Sequence, residues 1–298
     1  MKKFNIVEFF SGIGSQARAL ENIGIKKNVQ ATCEWDLHAF VAYDAIHEGT
    51  EVLPEVELLS KDDLIEKLSK FVLSNDGKTP MSFKTLCSYD INILKRVYSS
   101  LLRTKNLVDV SSIKGENMPN NTDILTYSFP CQDLSNVGAF HGYNKGIDKQ
   151  SGSRSSLLWQ VGRILQEMRI VGKTLPRYLV MENVPTLLST RHIDNFETWI
   201  NELKELGYIS KYVRVNARNY GIPQNRPRLL MLSVFVGDDL EKEEKIKKYF
   251  QTLTEEKVID DYKKSKYYKN LEVKDLLRIP TDKNSKLWEE ALDCTPND

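Results

Sequence analysis

Asp123-Ile124-Leu125-Thr126-Tyr127-Ser128-Phe129-Pro130-Cys131-Gln132-Asp133-Leu134-Ser135 is the stretch around which the rest of the chain is organised. Residues 123–129 read as a short buried strand, apolar and aromatic, and Pro130 has no N–H to give to a ladder, so the chain turns there. Cys131 therefore sits at a strand end. In open α/β sheets the crevice beyond the carboxyl ends of the strands receives ligands, so a thiol placed there can meet a substrate. A lone cysteine is more often a small buried hydrophobe. Here Pro130 precedes it, Gln132 follows it, and a polar, glycine-containing loop over 136–152 comes where a core residue would be followed by more core. Cys131 is a candidate nucleophile.

The chain has 298 residues and a net charge of +1, enough length to bury a core and a balance that neither requires nor excludes a nucleic-acid partner. Its four cysteines, at 33, 87, 131 and 294, are far apart and form no CxxC pair. That spacing argues against a zinc site or a disulfide framework and for a reducing compartment. The basic opening Met1-Lys2-Lys3 imitates a signal peptide, but the apolar run behind it is short and broken by Glu8. No stretch approaches the length of a membrane span, and the expected location is the cytoplasm.

Working outward, residues 4–10 read as a strand, followed at once by Ser11-Gly12-Ile13-Gly14-Ser15-Gln16-Ala17 and a short helix that Gly24 stops. A glycine turn between strand and helix lets the backbone approach a ligand, and Gly12, Gly14 and Ala17 satisfy the G-x-G-x-x-G/A dinucleotide pattern. About 20 residues on, where such folds place a ribose-binding carboxylate, stands Thr32-Cys33-Glu34-Trp35-Asp36. Glu34 can accept from two ribose hydroxyls and Trp35 can offer a flat face to an adenine. The alternative is a surface acid beside a half-buried Trp.

Residues 37–47 continue as a helix, and the segment 48–106 leaves the α/β rhythm. Apolar residues at three- and four-residue spacing predict helices over 62–73 and 91–102, with a turn at Ser74-Asn75-Asp76-Gly77, as a helical insertion in which no chemistry is visible. Leu107-Val108-Asp109-Val110 reads as a strand, with Asp109 placed either to accept from an exocyclic amine or to cap a helix. Residues 157–168 predict a helix and 178–181 a strand delivering Glu182-Asn183-Val184-Pro185. Glu182 either caps the following helix or projects beside Cys131. Strands over 212–215 and 228–236 flank a loop, Asn219 to Pro227, that contains Gln224 and Arg226, and Arg228 opens the second strand. From Ile209 to Gly237 there are five basic residues and no acid, a local positive face suited to phosphate.

The set of Glu8-Phe9-Phe10-Ser11-Gly12-Ile13-Gly14, Glu34-Trp35-Asp36, Phe129-Pro130-Cys131-Gln132, Arg154-Ser155-Ser156-Leu157, Glu182-Asn183-Val184 and Gln224-x-Arg226-x-Arg228 resembles the DNA (cytosine-5) methyltransferases. The blocks occur in the family's order and span about residues 4–236. The resemblance implies a doubly wound, mostly parallel α/β sheet that binds S-adenosylmethionine, here with the helical insertion, over 1–237, and a charged, largely helical extension over 238–298. It implies Cys131 as the thiolate that adds to cytosine C6, Glu182 as the acid at N3, Arg228 at the base's O2, and Arg226 and Gln224 organising their loop. Phe9, Ser11, Gly12, Gly14, Glu34, Trp35, Asp109, Val110, Pro130 and Leu157 would surround the methyl donor. The base must leave the duplex stack, with Gln132, Ser135 and the loop after it contacting the DNA.

The family's later blocks, with a target-recognition region and a Gly-Asn pair, are not found after Gly237. The expectation is that a second chain supplies that half or that the chain is a truncated product, inactive or nearly so alone. The partners expected are duplex DNA and a complementing subunit, with no membrane and no metal. The rivals are an RNA cytosine-5 methyltransferase, an inactive fragment serving as a binding or regulatory subunit, and a nicotinamide-dependent oxidoreductase. The last fits the glycine turn but gives no role to Cys131, Glu182 or the arginine loop.

Overall fold

The structure, a computed structural model, describes residues 3–130 and 157–272. Cys131, Gln132, Ser135 and Arg154 to Ser156 lie outside the described residues, and only their flanks can be placed. Strand β1 (Phe4–Phe9), helix α1 (Ser15–Asn22), strand β2 (Lys27–Cys33) and helix α2 (Leu37–His47) open the chain. Helices α3 (Pro54–Glu57), α4 (Lys61–Leu68), α5 (Phe83–Ser88) and α6 (Ile91–Arg103) follow. Then come β3 (Ile124–Tyr127), α7 (Leu158–Ile170), β4 (Tyr178–Asn183), α8 (Ile193–Glu205), β5 (Tyr208–Asn216), β6 (Pro227–Phe235), α9 (Leu240–Thr252) and α10 (Glu255–Lys263).

Among the described residues six strands form one sheet in the order β2-β1-β3-β4-β6-β5. β2, β1, β3 and β4 run parallel, while β6 is antiparallel to both β4 and β5, so one strand is reversed. All four residues of β3 are buried, as a strand covered on both faces requires. The main core joins β1, β3 and β4 to α7 through Leu158, Val161, Ile164 and Leu165, and to α8 through Phe196, Trp199 and Leu203. Trp199 Nε1 donates to the hydroxyl of Tyr127 at 3.2 Å inside this core, which gives both amphipathic rings their polar partner. Among the described residues no helix is long and apolar enough to cross a membrane.

The insertion packs on α2 around a second core, built from Leu37, Phe40, Val56, Leu64, Leu68, Leu94, Val97 and Leu101. Its helices start where capping chemistry allows: Ser60 and Asp63 form a capping box on α4, and Asp90 accepts from Asn92 N at the start of α6. The carboxylate of Asp44, fully buried, accepts from Arg96 Nη1 at 2.8 Å, Arg103 Nη1 at 2.9 Å and Ser100 Oγ at 2.9 Å, tying α2 to α6. The predicted pair of helices is thus four, and the turn after Leu73 leads into α5 rather than straight into the second long helix.

The strand expected over 107–110 is absent. Asn106 makes only an isolated parallel bridge to Thr32, and Val108 adopts φ +63°, where a β-branched residue cannot continue a ladder. Burial compensates: Val108 O accepts from Cys33 Sγ at 3.3 Å and Leu107 N donates to Thr32 O at 2.8 Å. At the other end, the charged helices α9 and α10 fold back on the sheet edge. Tyr262 packs on Tyr220 with ring centroids 5.4 Å apart, and Leu271 N donates to Gly221 O at 2.8 Å.

Gly14, just before α1, has φ +83°, and a Cβ there would lie 2.2 Å from His47 Nε2 and 2.7 Å from Tyr43 Cε2. Both the left-handed backbone and the contact with α2 exclude a side chain. Gly14→Ala is expected to cost on the order of 1–3 kcal/mol, read as a lowered midpoint in urea unfolding; an unchanged midpoint would mean that α1 and α2 yield freely at this contact.

Candidate active site

Two cavities open at the carboxyl ends of the parallel strands, the crevice where open α/β sheets bind ligands. The larger has a volume of about 510 Å³ and is lined by Phe10, Glu34, Trp35, Asp36, Asp109, Val110, Pro130 and Leu157 among others. The smaller, about 260 Å³, is lined by Ser128, Phe129, Pro130, Glu182, Asn183, Val184, Arg226 and Arg228. Ser128 and Pro130 line both, so the cavities meet at the turn that follows β3. Cys131 is the next residue in the chain.

The floor of the larger cavity is set by the turn after β1. Phe10 and Gly12 take left-handed conformations, at φ +55° and +52°, and the Gly12 N–H points to Glu34 Oε2 at 3.0 Å. Glu34 Oε1 accepts from Asp36 N, also at 3.0 Å, so the carboxylate is fixed between the glycine turn and the start of α2. Burial pushes the Glu34 carboxyl above its ordinary value against the pull of these N–H groups. Asp36 then caps α2, accepting from His38 N at 2.9 Å. Glu8 supports the same turn from below: its fully buried carboxylate accepts from Ala17 N at 3.0 Å and from the Tyr43 hydroxyl at 2.5 Å. Burial raises the Glu8 carboxyl as well.

The sequence-derived donor residues divide in two. Glu34, Trp35, Asp109, Val110, Pro130 and Leu157 line the larger cavity. Phe9 does not; it is buried in the main core, and its neighbour Phe10 faces the cavity instead. Phe9 is the last residue of β1 and Phe10 already belongs to the left-handed turn, so the two side chains leave the strand end in different directions, and the identical pair hides which is which. Gly12 and Gly14 shape the turn rather than the lining. Ser11 is buried, and its hydroxyl has no hydrogen-bond partner among the described residues. Asp109 also turns its own loop, accepting from Ser111 N at 2.9 Å.

At the smaller cavity Glu182 lies within β4, and the short 3-10 turn after it is entered through Val184 with no side-chain cap. The capping alternative therefore falls away. Its Oε1 is 2.7 Å from Arg228 Nε and its Oε2 accepts from Ser128 Oγ at 2.5 Å. Antiparallel pairing sets this geometry, because Glu182 stands opposite Leu230 and Arg228 is the diagonal neighbour two residues away. Asn183 holds the other wall: its Nδ2 donates to Phe129 O at 3.0 Å and its Oδ1 accepts from Val184 N at 2.8 Å. Ser128 and Asn183 are site residues that the sequence reading passed over. The signal for Asn183 was its place directly after the acid.

The arginine loop is pinned at its neck by Asn216, whose Oδ1 accepts from Arg226 N at 3.1 Å and whose Nδ2 donates to Asn225 Oδ1 at 2.8 Å. Arg226 and Arg228 line the smaller cavity, while Gln224 stands exposed at the tip and lines neither. An anionic or carbonyl-bearing flat ring suits this cavity: two guanidinium groups, one carboxyl and one hydroxyl converge on it. The larger cavity suits a nucleoside with an apolar flank, since it offers carboxylates for hydroxyl and amine donors and two aromatic rings for a base. Its volume is in the range of small-molecule sites.

A family model described as C-5 cytosine-specific DNA methylase matches residues 77–293 of the chain. The orphan methyltransferase M.SssI of Spiroplasma monobiae is 34% identical over 269 residues, which cover 87% of this chain and 67% of that protein. The type II methyltransferase M2.ScrFI of Lactococcus lactis subsp. cremoris is 31% identical over 277 residues, covering 91% of this chain and 71% of that protein. The chain thus spans about two thirds of the length of these curated relatives. The crystal structure of S. pombe Dnmt2 methyltransferase is similar with a TM-score of 0.49 and 15% identity, over 94% of this chain and 61% of that chain, too low a likeness to bear on function.

Proposed function

The chain belongs to the C-5 cytosine-specific DNA methylase family, and we propose on that premise that it methylates C5 of a flipped cytosine in duplex DNA, in a bacterial restriction-modification setting like that of its type II relatives. The observation that carries this reading is the position of Glu182, held by Arg228 and Ser128 in a small cavity that adjoins a nucleoside-sized one at Pro130. S-adenosylmethionine supplies the electrophilic methyl group on its sulfonium.

Cytosine C5 is too poor a nucleophile to take that methyl unaided. The Cys131 thiolate forms a bond to C6, the C5–C6 π pair is released into the ring, and Glu182 delivers a proton to N3 where the charge would otherwise collect. C5 then takes the methyl group as the donor's carbon–sulfur bond breaks and its electron pair stays on sulfur. Removal of the proton from C5 by a base expels the thiolate while N3 gives its proton back, and the ring is restored. Arg228 holds O2 of the base and Arg226 supports the loop. A cavity of about 260 Å³ beneath the arginine loop admits a base only after it has left the stack. The positive face over 209–237 meets the phosphates.

Glu34 and Asp109 would accept from the donor's hydroxyls and amine, and Trp35 would stack on its adenine. Trp35→Ala is expected to weaken S-adenosylmethionine binding by on the order of 1 kcal/mol, about fivefold in Kd. Calorimetry showing an unchanged Kd would return Trp35 to the hydrophobic wall of the insertion. The reaction itself is tested with labelled donor offered duplex DNA and transfer RNA in parallel. Label in duplex DNA supports the proposal; label in transfer RNA alone overturns it in favour of an RNA cytosine methyltransferase.

A further inference from the structure

We infer that the turn over 72–80, on the helical insertion, is the outer wall of the donor cavity, and that Asp76 is the positioning residue that holds this wall against the adenosine end of an S-adenosyl ligand. The inference rests on the donor reading of the larger cavity. The methyl group must be presented where the two cavities meet, at Ser128 and Pro130 after β3. Trp35 and Asp36 follow β2, which is separated from β3 by β1, so they stand about 10 Å away at ordinary strand spacing. The end of the ligand remote from its methyl group therefore lies on the β2 side. Val72, Gly77 and Pro80 line the same cavity.

The turn reaches that position by pairing with the exit of β2. Ser74 N donates to Trp35 O at 2.8 Å, Leu37 N donates to Ser74 O at 2.9 Å, and Asp36 and Ser74 form a parallel bridge. In effect the insertion adds a short pairing beyond the edge strand, level with the cavity. The neck is closed by Met81 N donating to Leu73 O at 2.7 Å.

Asp76 fixes the shape of what projects. Its Oδ1 accepts from Lys78 N at 2.7 Å and Thr79 N at 2.8 Å, and its Oδ2 accepts from Thr79 Oγ1 at 3.0 Å. Ser74 Oγ, fully buried, lies 3.0 Å from Asp76 Oδ1 and donates to Thr79 O at 2.7 Å. These N–H groups hold the Asp76 carboxyl well below the usual carboxylate range. Gly77 takes φ +63°, and a Cβ there would lie 3.1 Å from Asp36 Oδ2, which is how closely the turn approaches the cap of α2.

The pattern of exposure distinguishes a wall from a mere neck. Leu73 is buried in the insertion's core, whereas the adjacent Val72 is 45% exposed and faces the cavity. A turn needed only to connect two helices has no reason to present an apolar side chain to a polar-floored crevice. An adenine ring between this side chain and Trp35 would give it one.

Calorimetry with S-adenosylhomocysteine, and with adenosine as the fragment, tests the inference on the full chain. Asp76→Ala is expected to raise both dissociation constants by about tenfold, because the loss falls on the adenosine end. Asp76→Asn keeps an oxygen for Lys78 N and Thr79 N and should bind within about twofold of the parent. Val72→Ala, which touches none of the turn's hydrogen bonds, should weaken both ligands as well. Unchanged affinity in Asp76→Ala, or equal losses in the Ala and Asn variants, would overturn the assignment. A parent chain that binds neither ligand would instead sink the donor reading itself.

Discussion

Cys131→Ser should leave the chain folded and able to bind S-adenosylmethionine while reducing methyl transfer to background. A serine hydroxyl is hardly ionised near neutral pH, whereas even an unassisted thiol has a few per cent of thiolate there and is far more nucleophilic. The two side chains differ little in volume, so the loss should be chemical rather than structural. Cys131 directly follows Pro130, which lines both the nucleoside-sized cavity and the small one beside Glu182. Substantial turnover by the serine variant, with donor affinity unchanged, would remove Cys131 from the covalent step.

Glu182→Gln is the second large effect. The amide keeps an acceptor for Ser128 Oγ and nearly the same volume, but it cannot deliver a proton to N3, and a positioned general acid contributes about 10²–10⁴-fold. The single-turnover rate should fall by that order, with donor affinity little altered, because Glu182 lines only the smaller cavity. A rate equal to that of the parent would reduce Glu182 to a structural partner of Arg228, whose Nε lies 2.7 Å away.

The strands that carry the site were the legible ones. β3 and β4 are apolar runs ended by a proline and by an acid, and residues 37–47 were read as a helix with the bounds that α2 has. β2 was missed because its first half, Lys27-Asn28-Val29-Gln30, is the polar beginning of an edge strand, buried only over its last three residues. α8 was missed although Phe196, Trp199 and Leu203 keep a helical spacing, because it opens after His192 without a capping side chain. The false strand over 107–110 shows the opposite error: Val108 has strand propensity, but tertiary contacts with Cys33 hold it in a left-handed conformation.

Within the site, residue types were legible and facing was not. Glu34, Trp35 and Glu182 stood out as acids and an aromatic at strand ends, whereas Arg228 was singled out at O2 of the base only through the family resemblance. Phe9 against Phe10 could not be decided without knowing that β1 ends at Phe9 and the left-handed turn begins at Phe10, and Ser128 and Asn183 gain meaning only from distances across two strands. The wall contributed by 72–80 was illegible for a different reason. Its link to Trp35 and Leu37 runs through backbone hydrogen bonds of Ser74, which leave no mark on side-chain choice.

The central claim is that methyl groups go to cytosine C5, and nucleoside analysis of the product tests it most directly. Duplex DNA incubated with methyl-labelled S-adenosylmethionine and the chain, alone and with a second chain that supplies the target-recognition half, is digested and resolved by mass spectrometry. The account predicts label in 5-methyl-2′-deoxycytidine in at least one arrangement and none when Cys131 is replaced by serine. Label on an exocyclic nitrogen, or 5-methyl-2′-deoxycytidine formed equally well without the thiol, would contradict it.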